Sequence, residues 1–268
     1  MNTTPASHSA LQGKTALITG STSGIGLGLA RVFAQNGAKI LLNGFATESQ
    51  RQALEQELGQ YNQGQVCYLP ADMRHVNEIE LLMQQAGSEG GVDILVNNAG
   101  VQYVAPVDQF PTEKWDDIIA LNLSSAFHTT RLALTSMRQK NWGRIINIAS
   151  VHGCVASKDK SAYVAAKHGL VGFTKVVALE TATTGITCNA ICPGFVFTPL
   201  IEAQIHTRMA QKNMSFEAAK NDLLQEKQPS LEFVSIDQVA DLALYLCGNS
   251  AAQIRGAIWN MDGGWMAQ

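Results

Sequence analysis

The chain has 268 residues, of which 46% are hydrophobic and only 15% charged, with a formal net charge of −3. This balance excludes the strongly basic surface that nucleic acids and anionic membranes attract, and it favours a small molecule as the partner. The length suits one large α/β domain with a sizeable core.

Five scattered cysteines lack the paired spacings of a zinc site or of a disulfide framework. We therefore predict no metal site, reduced thiols and a cytoplasmic location. Residues 1–13 lack the apolar run of a secretory signal and are expected to form a polar tail before a domain that starts at Lys14. The apolar runs are much shorter than the ~20 residues that cross a bilayer, so no membrane span is predicted.

Short runs with strand character alternate with helix-like stretches along the chain. The expected strands are TALIT (15–19), KILLN (39–43), QVCYL (65–69), DILVN (93–97), RIINIA (144–149), ITCNAI (186–191) and AIWNMD (257–262). Such alternation predicts an α/β fold, a doubly wound parallel sheet of about seven strands with helices on both faces. No internal repeat or linker divides the chain, so we expect residues 14–268 to form a single domain.

One region, from about residue 198 to 235, interrupts this alternation. It contains two polar, amphipathic stretches, IEAQIHTRMAQ and SFEAAKNDLLQEK, with no strand between them. An insertion at this place, after the carboxyl end of a strand, predicts a helical lid over a site.

A glycine-rich loop, TGSTSGIG (19–26), follows the first expected strand. Glycines let the backbone approach a phosphate closely, and the helix that follows directs its first amides towards the anion. The spacing departs from the G-x-G-x-x-G pattern of dinucleotide-binding proteins. A plain turn between strand and helix is therefore an alternative to a dinucleotide site.

The segment SAYVAAKHG (161–169) places Tyr163 and Lys167 four positions apart. Residues with this spacing share one helix face, so the two side chains should project together. Taken alone, the pair is equally compatible with an ordinary surface contact.

TGSTSGIG, then NNAG (97–100), then the pair Tyr163 and Lys167 resemble, in this order, the short-chain dehydrogenase/reductase family over residues 14–265. The resemblance implies a Rossmann-type sheet and a dinucleotide cofactor. The residues that it implies for cofactor binding are Gly20, Thr22, Ser23, Gly24, Ile25, Gly26, Phe45, Asp72, Asn98, Ala99, Gly100, Tyr163, Lys167, Pro193, Gly194, Val196 and Thr198.

The end of the second expected strand bears on the choice between NAD and NADP. The residues there are Asn43, Gly44 and Phe45, without the acidic residue that binds the free ribose hydroxyl of NAD. No lysine or arginine follows the strand directly, and an extra phosphate without a cation would be poorly compensated. We therefore expect NAD.

The family resemblance also implies a catalytic tetrad of Asn122, Ser150, Tyr163 and Lys167. Tyr163 would exchange the proton, Ser150 would bind the substrate oxygen, and Asn122 would hold a relay water. An ammonium ~4 Å away contributes on the order of 4 kcal/mol at an effective dielectric near 20, enough to lower the pKa of Tyr163 by ~2 to 3 units. The alternatives are a turn cap for Ser150 and a local backbone bond or helix kink for Asn122.

The runs NNAGVQ, IASVHG, DKSAYVAAKHG and EKQPSL resemble the D-3-hydroxybutyrate dehydrogenase branch of the family. This resemblance implies NAD-dependent interconversion of (R)-3-hydroxybutyrate and acetoacetate. The implied substrate-binding residues are Gln102, Ser150, His152, Lys160, Tyr163, Gln204 and Trp265. Phe195 departs from that branch, which often has tryptophan there, and so bears on the length of substrate accepted.

Two other functions remain open from the sequence. One is the reduction of larger ketones, such as 3-oxoacyl thioesters or sugars, and the other is a dinucleotide sensor without chemistry. The resemblance also implies a homotetramer packed through the long helices that begin near Lys114 and Ala162.

Overall fold

A seven-stranded parallel sheet forms the centre of the computed structural model, which describes residues 10–267. The strands are β1 (Thr15–Ile18), β2 (Lys39–Leu42), β3 (Val66–Tyr68), β4 (Ile94–Asn97), β5 (Gly143–Ile148), β6 (Ile186–Pro193) and β7 (Ile258–Met261). Their order across the sheet is β3-β2-β1-β4-β5-β6-β7. The predicted fold class is confirmed, since each expected run overlaps one observed strand.

Helices cover both faces of the sheet. They are α1 (Gly24–Gln35), α2 (Glu48–Asn62), α3 (Val76–Ser88), α4 (Thr112–Ile119), α5 (Ser125–Lys140), α6 (Ser161–Glu180), α7 (Pro199–Lys212), α8 (Phe216–Lys227) and α9 (Ile236–Cys247). Side chains alternate along β1, so Ile18 packs in a core with Leu29 of α1, and Leu17 packs in a second core with Leu82 of α3. The strands are therefore buried on both faces, as parallel sheets are.

The order of the strands places a crevice beside the carboxyl end of β1. The chain runs from β1 outward to β2 and β3, then returns to place β4 on the other side of β1. At such a switch point the connections leave in opposite directions, and the crevice between them is where open α/β sheets bind ligands.

The packed part of the chain begins before the expected domain start at Lys14. Leu11 is buried in the core, and its backbone N–H donates to the carbonyl of Asn36 at 2.9 Å. Residues 1–9 of the expected tail lie outside the described residues.

The long helix-like stretch from Lys114 to Lys140 is not one regular helix. A π-helical turn, Ala120–Ser124, separates α4 from α5 and contains Asn122. A π turn is found mostly at functional sites, because its extra residue changes the direction of the side chains.

The expected pair of polar helices is present as α7 and α8. Their apolar faces, including Ile205 and Leu223, pack in a separate small core with Phe195 and Trp265. Among residues 10–267, no helix has the length and apolar character of a membrane span.

Candidate active site

A cavity of about 460 Å³ lies at the carboxyl ends of the strands, below α7. It brings together every predicted site residue except Gly26, Asp72 and Asn122. Residues separated by up to 245 positions, from Gly20 to Trp265, therefore face one space.

The glycine loop has the backbone that a dinucleotide cradle needs. Gly20 and Gly24 adopt φ of +63° and +53°, in the left-handed region that favours glycine. A Cβ on Gly26 would lie 2.3 Å from the carbonyl oxygen of Gly20, so this residue permits the close packing of loop and helix instead of lining the cavity. Ser23 precedes α1 without a capping hydrogen bond from its side chain. The first amides of α1 are thus available to an anion.

Asn43, at the end of β2, supports the glycine loop from below. Its side chain donates to the carbonyls of Leu69 and Ala71 at 3.2 and 3.1 Å and accepts the N–H of Gly20 at 3.4 Å. The residue is fully buried. The asparagine in place of the expected acidic residue is therefore a structural link between β2 and the loop.

A shallower hollow continues the cavity past Phe45, whose exposed side chain borders both spaces. Asp72 and Glu78 line this hollow. The Arg74 guanidinium, 2.6 Å from the Asp72 carboxylate, lowers the pKa of Asp72, and it also bonds to Asp117 at 3.1 Å. None of the described residues that line this hollow is a lysine or an arginine.

Tyr163 and Lys167 lie on consecutive turns of α6, facing the end of β5. The Lys167 ammonium donates to the carbonyl of Ile148 at 2.7 Å and lies 5.7 Å from the centre of the Tyr163 ring. Burial lowers the pKa of Lys167 to about 8. Ser150 follows β5 directly, and its hydroxyl hydrogen-bonds to Tyr163.

The pKa of Tyr163 moves in the direction opposite to the one expected from the sequence. Burial raises it, and the hydrogen bond from Ser150 only partly offsets this effect. The expectation that Lys167 lowers this pKa considered the charge of the ammonium alone. It omitted the cost of removing the phenolate from water.

Asn122 uses both ends of its side-chain amide on one neighbour. Its Oδ1 accepts the N–H of Val101 at 2.9 Å, and its Nδ2 donates to the carbonyl of Val101 at 2.9 Å. The side chain is buried and fixes the loop that follows β4. Of the two alternatives set out from the sequence, both the local backbone bond and the helix irregularity are present.

Polar side chains gather at the other end of the cavity, beyond Tyr163. Gln102, Lys160 and Gln204 line it from three different elements. Among the described residues, no carboxylate oxygen lies within 4.0 Å of the Lys160 ammonium, and burial lowers its pKa. A buried cation without a counter-ion is a costly arrangement that an anionic ligand relieves.

His152 lies between two serine hydroxyls at this end. Its Nδ1 is 3.3 Å from the Ser150 Oγ and its Nε2 is 2.8 Å from the Ser157 Oγ. Burial, with the nearby charge of Lys160, lowers the pKa of His152 to about 4. The imidazole is therefore neutral at pH 7.

An aromatic wall closes the cavity beside these polar groups. The Trp265 ring meets the edge of His152 at 5.4 Å between ring centres and the Phe195 ring at 5.1 Å. Both aromatic residues are buried. The cavity thus joins a cation, a hydroxyl pair and a small apolar surface.

A family model for short chain dehydrogenases matches residues 14–209. The chain belongs to this family. A D-beta-hydroxybutyrate dehydrogenase of Cupriavidus necator is 60% identical over 260 residues, which cover 96% of this chain and 100% of the relative. A protein of the same name from Rhizobium meliloti is 54% identical, over 95% of this chain and 99% of the relative. An L-sorbose reductase from Gluconobacter frateurii, solved with NADPH and L-sorbose, is 27% identical, with a TM-score of 0.92 over 97% of this chain and 99% of that chain.

Several cavity residues of this short-chain dehydrogenase were not predicted from the sequence. The apolar ones include Met73, Val101, Leu200 and Ile201. Their residue types are those of any core, so the sequence offers no signal that separates them from it. Ser157 was missed as well, because a serine in a loop has no spacing that relates it to His152.

Proposed function

We propose that this short-chain dehydrogenase oxidises (R)-3-hydroxybutyrate to acetoacetate with NAD and catalyses the reverse reduction. The observation that carries the proposal is the Lys160 ammonium, which faces the cavity without a carboxylate partner among the described residues. A small hydroxy acid whose hydroxyl reaches Tyr163 would place its carboxylate at Lys160. The printed names of the two relatives, at 60% and 54% identity, support the same substrate.

In this proposal the substrate lies between the charged and the aromatic parts of the cavity. Lys160 pairs with the carboxylate, and the amides of Gln102 and Gln204 hydrogen-bond to it. Trp265 and Phe195 pack against the methyl group. Because the pair of aromatic residues leaves little space there, we expect short substrates to be preferred over 3-oxoacyl thioesters.

The residues around the glycine loop fit a bound NAD. The loop from Gly20 to Gly26 would hold the pyrophosphate, Asp72 and Phe45 the adenosine, Asn98 to Gly100 the sheet-side ribose, and Pro193 to Thr198 the nicotinamide. Asp72 and Glu78 border the adenosine end, and their negative charge disfavours the additional phosphate of NADP.

The tetrad then handles one proton and one orientation. Bound NAD accepts a hydride from the carbinol carbon of the substrate. Tyr163 takes the hydroxyl proton during oxidation and returns it during reduction, and Ser150 donates a hydrogen bond to the substrate oxygen. Lys167 supplies positive charge beside Tyr163. Asn122 fixes the Val101 loop, so a proton relay at Asn122 would use its main-chain carbonyl.

The experiment that tests this function is the initial rate of NADH formation with NAD and each enantiomer of 3-hydroxybutyrate, with NADP in parallel. We expect turnover of the (R) enantiomer with NAD. Tyr163→Phe should lower kcat by about 10²- to 10⁴-fold while NADH binding, followed by fluorescence, is retained. Faster turnover of bulky ketones with NADPH would contradict the proposal, as would tight NADH binding without turnover of any hydroxy acid.

We also propose a cytoplasmic homotetramer. All five cysteines are free, which suits a reducing compartment. Phe127 of α5 and Val176 and Leu179 of α6 are exposed apolar residues on the two helices that the family resemblance assigns to subunit contacts. Light scattering should give about four times the 28.8 kDa of one chain, and a monomeric mass would contradict this state.

A further inference from the structure

We propose that Ser157 is a positioning residue, which acts through the His152 ring to direct the hydroxyl proton of Ser150 towards the substrate oxygen. The proposal rests on the function proposed above, because it concerns the same reaction. It also changes the interpretation of His152, from a ligand of the substrate carboxylate to the middle member of a hydrogen-bonded chain.

The first observation is that both ring nitrogens of His152 are already engaged. The Ser157 hydroxyl is 2.8 Å from Nε2, and the Ser150 hydroxyl is 3.3 Å from Nδ1. A direct bond from His152 to a carboxylate would break one of these contacts. His152 is buried, with 4% of its surface exposed, so the broken contact would not be replaced by water.

The second observation concerns the other bonds of Ser150. Its Oγ accepts the backbone N–H of His152 at 3.2 Å. A serine hydroxyl has one proton to donate and two lone pairs. If Nδ1 of His152 carries the ring proton, both lone pairs are occupied by donors, and the Ser150 proton is free for the cavity. If Nε2 carries it, Nδ1 becomes an acceptor and draws the Ser150 proton away from the substrate.

Ser157 decides between these two arrangements. A neutral imidazole with its proton on Nδ1 needs a donor at Nε2, and the Ser157 hydroxyl is the group placed there. In the productive arrangement Ser157 donates to His152, His152 donates to Ser150, and Ser150 donates to the substrate oxygen. Each donor and acceptor in this chain is satisfied, and the chain ends where negative charge develops during reduction or proton loss.

Loss of the Ser157 hydroxyl should affect the chemical step more than substrate binding. We expect Ser157→Ala to lower kcat by about 10- to 100-fold, because a poorly oriented catalytic group costs this much, while the KM for the hydroxy acid and the Kd for NADH stay within about 3-fold. Ser157→Thr keeps a hydroxyl at this position and should recover most of the rate. Lys158→Gln, at an exposed neighbour in the same loop, is the matched control and should leave both constants unchanged.

A double-variant cycle tests whether Ser157 acts through His152. Ser157→Ala should cost nothing further when it is added to His152→Asn, because the chain is already broken. Equal costs in both backgrounds would show that Ser157 acts independently and would overturn the proposal. So would a large rise in KM with unchanged kcat in Ser157→Ala, the result expected if His152 binds the carboxylate directly.

Nuclear magnetic resonance of ring-¹⁵N histidine tests the same chain without substrate. The His152 signals, assigned by their loss in His152→Asn, should show the Nδ1-protonated form in the wild type and a mixture of forms in Ser157→Ala. An Nε2-protonated wild type would overturn the proposal. If the wild type fails to oxidise 3-hydroxybutyrate, the proposed function fails by itself, and these spectra still decide on the position of the proton.

Discussion

At the scale of single residues, Tyr163 and Lys167 show how burial competes with charge within one turn of α6. Burial raises the pKa of Tyr163 and lowers that of Lys167 to about 8, so both groups favour their neutral forms more than they do in water. The spacing of the two residues was evident from the sequence. The direction of the Tyr163 pKa was not, because it depends on how completely β5, β6 and the cavity walls remove water from the hydroxyl.

The raised pKa of Tyr163 predicts a pH dependence for each direction of the reaction. The phenolate that accepts a proton during oxidation is a minor form below this pKa, so the rate of oxidation should rise by up to about tenfold per pH unit between pH 6 and 8. The protonated form that reduction requires is already present in this range, so reduction should change little. Rates measured in both directions check this, and a flat oxidation profile would contradict it.

Lys167 should lower the stability of the protein while it serves the reaction. Its pKa falls from 10.5 to about 8 on folding, so below pH 8 the folded protein keeps a buried charge that the unfolded chain exposes to water. We expect Lys167→Met to abolish turnover and to raise the free energy of unfolding by about 1 to 2 kcal/mol, the relieved burial less the lost bond to Ile148.

Urea unfolding across pH checks the Lys167 prediction. The gain should be complete below pH 8 and should shrink between pH 8 and 10.5, because there the folded protein has lost the proton that the unfolded chain still binds. Lys175→Met, on an exposed position of the same helix, is the control and should leave the free energy of unfolding nearly unchanged. A destabilised Lys167→Met protein would show that the bond to Ile148 outweighs the cost of burial.

At the scale of elements, α7 and α8 form a unit of their own above the cavity. Arg208 of α7 pairs with Asp222 and with Glu226 of α8, the latter at 2.6 Å. Their apolar sides meet the aromatic wall of the cavity through Ile205 and Leu223. The unit therefore connects to the sheet mainly through residues that a substrate would contact.

Binding of ligands should accordingly protect the lid. We expect amide hydrogen exchange in residues 199–227 to slow when NAD and acetoacetate are added together, because the substrate completes the contacts below Gln204 and Ile201. Helix α2, on the far side of the sheet edge, provides the internal control and should exchange at an unchanged rate. Equal exchange in 199–227 with and without ligands would contradict a closing lid.

The π turn at residues 120–124 is an element that the sequence did not predict. ALNLS has ordinary helical residues, so its pattern favours one continuous helix from α4 to α5. The extra residue in the turn is tolerated because the Asn122 amide bonds to the Val101 loop, which comes from β4. A contact between segments this far apart leaves no local pattern.

At the scale of the whole molecule, the strand pattern and the separated motifs were sufficient to predict the parallel sheet and the gathering of the cavity residues. Hydrophobic runs of four to eight residues between helices determine such a sheet, because both of its faces are buried. The chain from Ser157 through His152 to Ser150 was beyond prediction, since it depends on the path of a loop after the end of β5. The burial of Leu11 likewise depends on a contact with the end of α1.

The measurement that tests the whole account most directly compares (R)-3-hydroxybutyrate with its methyl ester, in the wild type and in Lys160→Met. The ester keeps the carbinol for Tyr163 and removes the charge that Lys160 is proposed to bind. In the wild type the ester should lose about 30- to 1000-fold in kcat/KM, as expected for a buried charge pair. Lys160→Met should show the same loss for the acid and little for the ester. An ester that is oxidised as well as the acid by the wild type would contradict the account.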